Sequence, residues 1–258
     1  MKFKNFTFDA QTKNIFQKSK FAATKAQEKQ FERSLRKIAK ATGNIIEAFT
    51  VGATITDPKA MMKILNDYSK LLTPWAKLQS QKLLGETLKR INSDKLYKEQ
   101  SKKMGSLISK EINETETGFL TMNLMNEQVE LIKSIPLEAG ERAQKLAIEN
   151  LSGSRRAEEI AAELRKTTKV TENRAVLIAR TETARANTYL NLARATSIGS
   201  KKYIWRTSGD ADVRESHKKM NGKEFFWNKP PTLEDGMTGH PGTFPNCRCY
   251  AEPILEDE

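Results

Sequence analysis

The residue types best suited to chemistry lie close together in the last part of the sequence. Both histidines and both cysteines of the 258-residue chain fall between positions 217 and 249. In order they are His217, His240, Cys247 and Cys249. Imidazole nitrogens and thiolates are ligands that zinc prefers, and four of them complete a tetrahedral structural site. The clustering predicts a metal site in a segment poor in apolar residues, where metal binding would contribute folding free energy.

The spacing of these four residues leaves other interpretations open. The cysteines can be two packed thiols with both histidines at the surface, or the four side chains need never converge. A disulfide between Cys247 and Cys249 is disfavoured, because it would close a very short and strained ring. A zinc hydrolase is a further interpretation, but it needs an open coordination position and a general base in addition to these ligands.

A second group of polar residues lies on a predicted helix and on the loop after it. Glu182 and Arg185 are three positions apart, so they can pair on one helix face. A surface pair of this kind contributes only about 0.3 kcal/mol. We interpret the group as a structural network of Arg180, Glu182, Arg185, Asp212 and Arg214.

Segment 1–137 is predicted to be a basic helical region. Asp57 and Pro58 suit an N-cap followed by proline at the first helical position. Apolar residues then recur every three or four positions as far as Leu78, which is typical of the buried face of a helix. Pro74 is expected to kink or restart this helix, and the next helix is expected to end near Pro136. The predicted buried face comprises Met61, Ile64, Leu65, Tyr68, Leu71, Leu72, Trp75 and Leu78.

Segment 138–258 is predicted to be a small domain with helices and short strands. Helices are expected over 138–151, 155–166 and 172–197, the last of them capped by Thr171. The sequences KKYIWRTS, EFFW and the stretch 249–254 suit strands. Long stretches between the strands are rich in glycine and proline. The predicted fold class is therefore α+β, with a mostly helical N-terminal region and a loop-rich, metal-stapled C-terminus.

Positive charge is concentrated in the first part of the chain. Residues 1–110 contain 23 Lys and Arg against 9 Asp and Glu, and 20 of the 23 are lysines. Ammonium groups suit non-specific contact with phosphates or acidic proteins, so a face within 1–110 is a candidate DNA or partner contact. A solvated basic surface explains the same charges. No apolar run approaches the length needed to cross a bilayer, and two cysteines fit a reducing compartment such as the cytoplasm.

The combined order of motifs resembles the phage Mu F-like head morphogenesis family. The helix reads IARTETARA, and it is followed by YIWRTSGDADVRESHKKMNGKEFF and then by GHPGTFPNCRCYAEPI. The resemblance covers about residues 140–254. It implies that His217, His240, Cys247 and Cys249 share one site, with structural zinc as the expected cofactor. The chain departs from the family at 242–245, which lengthens the usual spacing before Asn246.

Members of this family are minor capsid proteins, so the resemblance implies a virion protein of a tailed phage and not an enzyme. The expected partners are the portal protein, other head proteins and packaged double-stranded DNA bound without sequence preference, with no membrane. The expected location is the capsid interior or portal vertex, after assembly in the host cytoplasm. The alternative is an ADP-ribosyltransferase-like enzyme delivered with the genome, in which Arg180 and Glu182 would act on a dinucleotide.

Overall fold

The computed structural model describes residues 21–93 and 116–254. Helix α1 (Lys25–Ala48) is followed by a hairpin of β1 (Thr50–Val51) and β2 (Thr54–Ile55), and then by helix α2 (Pro58–Asn92). The next helices are α3 (Glu116–Leu151), α4 (Ala157–Arg165) and α5 (Thr167–Ser197). The last elements are β3 (Lys202–Arg206), the short helix α6 (Glu215–Lys218), β4 (Glu224–Phe226) and β5 (Tyr250–Ile254). This order confirms the predicted α+β class.

These elements form two compact units, each assembled from several stretches of chain. The helical unit contains residues 25–85 and 121–183. The described residues of the sheet unit are 21–24, 86–93, 116–120 and 184–254. Each unit combines residues from both sides of position 137. The division of the chain into segments 1–137 and 138–258 therefore stays a prediction.

The core of the helical unit is formed by the apolar faces of its long helices. Helix α1 places Phe31, Leu35 and Ile38 inward, as their spacing predicts. One cluster joins these side chains to residues of α2, α3 and α5. A second cluster joins the end of α1 and β2 to residues of α2, α3 and α4. Full burial of one such aliphatic side chain stabilises the fold by about 1.5–3 kcal/mol.

Helix α2 begins where the sequence predicts. The Asp57 carboxylate accepts a hydrogen bond of 2.9 Å from the backbone N–H of Ala60 and so satisfies one free donor of the first turn. Pro58 occupies the first helical position, where its missing N–H removes no helical bond. The helix continues through Pro74, so it does not restart there, and a kink at this residue stays a prediction.

The predicted apolar face of α2 is divided between the core and the surface. Met61 and Leu65 are fully buried, as predicted, because they belong to the second core cluster. Other members of the same periodic set point to solvent, so their assignment to the core is wrong. The exposed residues are Ile64, Leu71 and Leu78.

Two predicted helix boundaries are also wrong. Helix α3 runs through Pro136, and buried residues lie on both sides of it, at Ile135 and Ala139. Their burial offsets the cost of about 3 kcal/mol that proline imposes inside a helix. Helix α5 begins at Thr167, and Thr171 lies within it. The Thr171 hydroxyl donates to the Thr167 carbonyl at 2.7 Å instead of capping the helix.

The sheet unit contains a three-stranded antiparallel sheet in the order β4-β3-β5. Tyr203 and Trp205 alternate with less buried residues along the central strand β3, and both are completely buried. Pro253 lies in the edge strand β5, where its missing N–H is tolerated. All three strands correspond to the stretches that residue alternation predicted.

Two buried polar side chains of α5 hold the backbone from which the cysteines project. The Thr188 hydroxyl donates to the Pro241 carbonyl at 2.6 Å, and the Asn191 amide donates to the Ala251 carbonyl at 2.8 Å. Leaving a buried polar group without a partner costs about 1–3 kcal/mol. The two bonds therefore fix the loop before β5 and the strand itself against the helix.

Replacement by alanine is expected to have opposite effects on stability at two helical glycines, Gly43 and Gly85. A Cβ at Gly43 would lie 2.8 Å from Thr168 Cγ2 and 2.9 Å from its Cβ, whereas Gly85 has nothing within 4 Å. We expect Gly43→Ala to lower the free energy of unfolding by about 1–3 kcal/mol through overpacking. Gly85→Ala should raise it by about 0.5–1 kcal/mol through helix propensity. Denaturant titrations measure both, and stabilisation by Gly43→Ala would contradict the close contact with Thr168.

Candidate metal centre

His217 is held in the connection between β3 and β4. The backbone of Trp205 closes this loop, because its N–H donates to the Lys223 carbonyl at 2.9 Å and its carbonyl accepts from the Gly222 N–H at 2.8 Å. Helix α6 lies inside the loop and carries His217, which is only 2% exposed. The loop that contains the short helix α6 is thus anchored to the central strand β3. This anchoring brings the His217 imidazole against the Trp205 side chain.

The two cysteines lie at the turn that leads into β5. Asn246 has a φ of 58°, a left-handed conformation that asparagine adopts more readily than most residues. The Cys247 N–H donates to the Phe244 carbonyl at 3.0 Å and closes the turn. Cys247 and Cys249 are 5% and 4% exposed. The backbone of Asn246 therefore accounts for an asparagine directly before the Cys-Arg-Cys sequence.

Three of the four predicted ligands converge. His217 Nδ1 lies 3.4 Å from Cys247 Sγ and 3.5 Å from Cys249 Sγ, and the candidate ligand atoms all lie within 4.8 Å of one another. Zn–S and Zn–N bonds of about 2.3 and 2.0–2.1 Å separate nitrogen and sulfur by about 3.6 Å at a tetrahedral angle. The residue types and the two N···S distances thus fit a zinc ion bound by His217, Cys247 and Cys249.

N–H groups face both sulfur atoms and favour their thiolate forms. The Gly242 N–H donates to Cys247 Sγ at 3.3 Å. The interaction with Cys247 and burial raise the pKa of Cys249, and the Trp205 indole and the Ser208 backbone oppose this rise, although the indole N–H lacks the geometry of a full hydrogen bond. Such donors stabilise the negative charge of thiolates and orient them for a metal.

Gly242 lies in the lengthened segment between His240 and Asn246, and its backbone conformation requires a glycine. Its φ is 86°, which disfavours any residue with a side chain. A Cβ at this position would lie 2.6 Å from Thr188 Oγ1 and 2.9 Å from the Cys249 carbonyl oxygen. A glycine is therefore required for the backbone to approach both α5 and the sulfur of Cys247.

The two thiols shift each other's pKa in opposite directions. A hydrogen bond from Cys249 lowers the pKa of Cys247 to about 5, against the opposing effect of burial, and His217 contributes in the same direction. The interaction with Cys247, together with burial, raises the pKa of Cys249. A metal bound by both sulfurs would require both thiols to be deprotonated, because thiolates are the ligand forms.

His240 lies outside the group of three. Its Nδ1 is 3.0 Å from the hydroxyl of Tyr203, and the two rings meet edge-on with centroids 5.4 Å apart. Burial lowers the pKa of His240, and a hydrogen bond with the Trp227 backbone opposes this shift. Burial also raises the pKa of Tyr203. The structure thus gives His240 the contacts of a neutral core histidine and does not bring it to the cysteines.

Aromatic rings surround the imidazole of His217. Trp205 meets it edge-on with centroids 5.6 Å apart, and Phe244 does so at 5.1 Å. His217 Nε2 has no hydrogen-bond partner within the described residues. Nδ1 is the ring nitrogen that faces the sulfur atoms. The imidazole is almost completely shielded from solvent. The sequence contains no motif that would identify Trp205 and Phe244 as neighbours of the His217 imidazole. Only their proximity in sequence to the motif residues could have suggested that they pack against it.

Two arginines attach the loop after β3 to the cysteine turn. Arg248 forms ion pairs with Asp210 at 3.1 Å and Asp212 at 3.2 Å, so its guanidinium is directed to these carboxylates. Arg214 donates to the Pro245 carbonyl at 2.8 Å. Asp212 and Arg214 thus contact the cysteine turn, and their membership of the predicted network stays a prediction.

The other members of the predicted network make separate contacts. Arg180 forms an ion pair of 3.0 Å with Glu28 in the helical unit. The Arg185 guanidinium lies over the Tyr189 ring at 5.6 Å, a cation–π contact. Glu182 is 3% exposed. A single network that includes all five residues stays a prediction.

Residues 141–252 match the family model described as phage Mu protein F-like protein. This part of the chain is similar to phage Mu protein F-like proteins. The match includes the three converging residues and His240, and it confirms the resemblance seen in the sequence motifs. It begins within α3, so it does not include α1 and α2.

A shorter segment is similar to an uncharacterized protein of Haemophilus influenzae. The two are 41% identical over 73 residues, which make up 28% of this chain and 15% of that protein. The chain therefore corresponds to a small part of this relative. No solved structure matches the chain.

The geometry predicts different effects of replacing the two histidines. We expect the full chain to bind about one zinc and His217→Gln to lose it, because Nδ1 is the nitrogen beside both sulfurs. His240→Gln should retain zinc but melt at lower temperature, because the buried contact with Tyr203 is lost. Elemental analysis and the thiolate absorption of Co²⁺-loaded protein measure binding. Equal loss of metal in both variants would place His240 among the ligands.

Proposed function

We propose that this Mu F-like chain is a head morphogenesis protein of a tailed phage, with a structural function in the virion. The observation that carries the proposal is the family match over residues 141–252. The geometry of the candidate site is consistent with it, because His217, Cys247 and Cys249 are all at most 5% exposed. A buried group of this kind suits a cross-link better than it suits a site that must admit a substrate.

The three converging residues would make zinc a cross-link between two loops. His217 comes from the β3–β4 connection, whereas Cys247 and Cys249 come from the turn before β5. A bound zinc would supply coordinate bonds to these residues and so join segments that have little regular structure. Three protein ligands leave a fourth position open, which a water molecule or another donor would fill.

A hydrolytic function has less support than a structural one. A zinc hydrolase needs a general base beside its open coordination position. Within the described residues, the group of potential ligands contains no carboxylate. The nearby Asp210 and Asp212 are paired with Arg248. For the transferase alternative, Arg180 is paired with Glu28 and Glu182 is buried, which leaves neither ready to bind a dinucleotide.

The proposed partners are inferred from the charge of the chain and from the family that residues 141–252 resemble. The lysines of segment 1–110 would contact packaged DNA, and the portal protein and other head proteins would be neighbours in the particle. Within residues 21–93 and 116–254, no helix is both long and apolar enough to cross a bilayer. We place the chain in the capsid interior or at the portal vertex, following synthesis in the host cytoplasm.

The virion assignment predicts a defect in infection when the gene is interrupted. We expect mass spectrometry to detect the chain in purified heads of the wild-type phage. A nonsense mutant should lower the infectious titre, because particles would lack a structural component. Complementation with the intact gene should restore the titre. Absence of the chain from both procapsids and finished particles would contradict a structural function.

The lysine-rich segment predicts DNA binding that depends on salt and not on sequence. If about four lysines displace counterions, the logarithm of the binding constant should fall with the logarithm of salt concentration with a slope of about −3.6. Fluorescence anisotropy with two unrelated duplexes of equal length should give equal affinities. Binding that is insensitive to salt, or that prefers one duplex, would contradict non-specific phosphate contact.

A further inference from the structure

A row of cationic side chains runs along the exposed side of helix α1. Its members are Lys29, Arg33, Lys37 and Lys40, and all four are exposed. Successive helical positions differ by about 100°, so steps of four, four and three place these residues within an arc of about 80°. Leu35, at the centre of the buried face, lies on the opposite side of the helix. We name the four cations the α1 row.

The acidic residues of α1 do not neutralise the α1 row. Glu28 forms an ion pair of 3.0 Å with Arg180, and Glu32 forms one of 2.7 Å with Arg36. The next acidic residue of the helix, Glu47, lies seven positions beyond the end of the row. Within residues 21–93 and 116–254, no member of the row has an ion-pair partner. The row therefore presents four uncompensated positive charges to solvent, and their potentials add.

The surface around the α1 row offers no large apolar side chain. Its other exposed residues include Ala26, Gln30 and Asn44, and none of the large exposed hydrophobic residues of the described chain lies on α1. Protein–protein interfaces bury a core that is rich in aromatic residues and methionine and poor in lysine. Helices that bind a membrane surface insert an apolar face. This side of α1 therefore suits a polyanion that is contacted through charge alone.

The dimensions of the α1 row suit a phosphate backbone. At 1.5 Å per residue, the row extends over about 16 Å of helix. One strand of B-DNA has a phosphate for each 3.4 Å or so of its axis, so about five phosphates lie along the same length. Three of the four cations are lysines, whose ammonium groups act as point charges and carry no means of reading base sequence. The row therefore matches duplex DNA in charge and in length.

We propose that the α1 row is the surface through which this chain contacts the phosphates of double-stranded DNA. The proposal rests on the DNA contact proposed above, and it assigns that contact to four residues of segment 1–110. The exposed lysines of α2 are then not required for binding. Helix α1 lies outside residues 141–252, so neither the family match nor the metal centre supplies this assignment.

Neutralisation of the row tests the assignment in the full chain. The row variant is Lys29→Gln/Arg33→Gln/Lys37→Gln/Lys40→Gln. Glutamine has nearly the helix propensity of lysine and arginine, so circular dichroism should show an unchanged helix content. Loss of four phosphate contacts should make the slope of log binding constant against log salt less steep by about 3.6. Fluorescence anisotropy at low salt should also show affinity for a duplex at least about tenfold weaker.

A matched variant on α2 separates a specific surface from total charge. It replaces four exposed lysines of the same segment, Lys59→Gln/Lys63→Gln/Lys77→Gln/Lys82→Gln, and so removes the same charge. We expect its slope to stay within about 0.9 of the wild-type slope, the value of one phosphate contact. The charge-preserving variant Lys29→Arg/Lys37→Arg/Lys40→Arg should bind DNA as the wild type does. Equal weakening by the two glutamine variants overturns the assignment to the α1 row.

The outcomes distinguish failure of the assignment from failure of the DNA contact. If the wild-type chain does not bind a duplex at low salt, the proposed DNA contact fails and the assignment fails with it. If the row variant retains binding, the DNA contact stands and only the assignment is overturned. Polyglutamate that displaces the duplex from the wild type at equal charge concentration identifies an acidic protein surface as the occupant, which also overturns the proposal. Weak competition, with loss of binding confined to the row variant, supports it.

Discussion

The packing of Trp205 is the contact on which the candidate metal centre depends. This side chain is completely buried on the central strand, and its backbone closes the loop that carries His217. On the other side, Trp205 pairs with Ala251, two positions after Cys249. Its ring contacts both His217 and Phe244. One residue therefore sets the positions of two segments that lie about 30 residues apart in sequence and must meet for the ligands to converge.

The segments between the strands have few apolar side chains, so they are held by specific polar contacts. Arg248 joins them through Asp210 and Asp212, and Arg214 does so through the Pro245 carbonyl. Exposed ion pairs stabilise a fold weakly, whereas coordinate bonds to zinc contribute much of the folding free energy in small metal-binding domains. A loop-rich region with this composition is one in which a buried three-residue metal group has the greatest effect on stability.

The strands of the sheet and the start of α2 could be predicted from sequence because their signals are local. Alternation marked β3, and Asp57 with Pro58 marked the start of α2. The involvement of His240 could not be excluded, because its distance from the cysteines depends on the buried contact with Tyr203. Likewise, Gly43 weakens an isolated helix, yet the close approach of Thr168 requires a small residue there. Such features depend on partners that are remote in the chain.

Charge balance explains why a metal suits the surroundings of His217. A zinc ion with two thiolates and a neutral imidazole has no net charge, so it can lie among Trp205 and Phe244 with little desolvation cost. Without the metal, a negative charge on either buried thiol would depend on neighbouring donors such as the Gly242 N–H. Burying a charge costs free energy unless it is paired. The residues around the sulfurs are therefore compatible with a neutral group of one zinc ion, two thiolates and one imidazole.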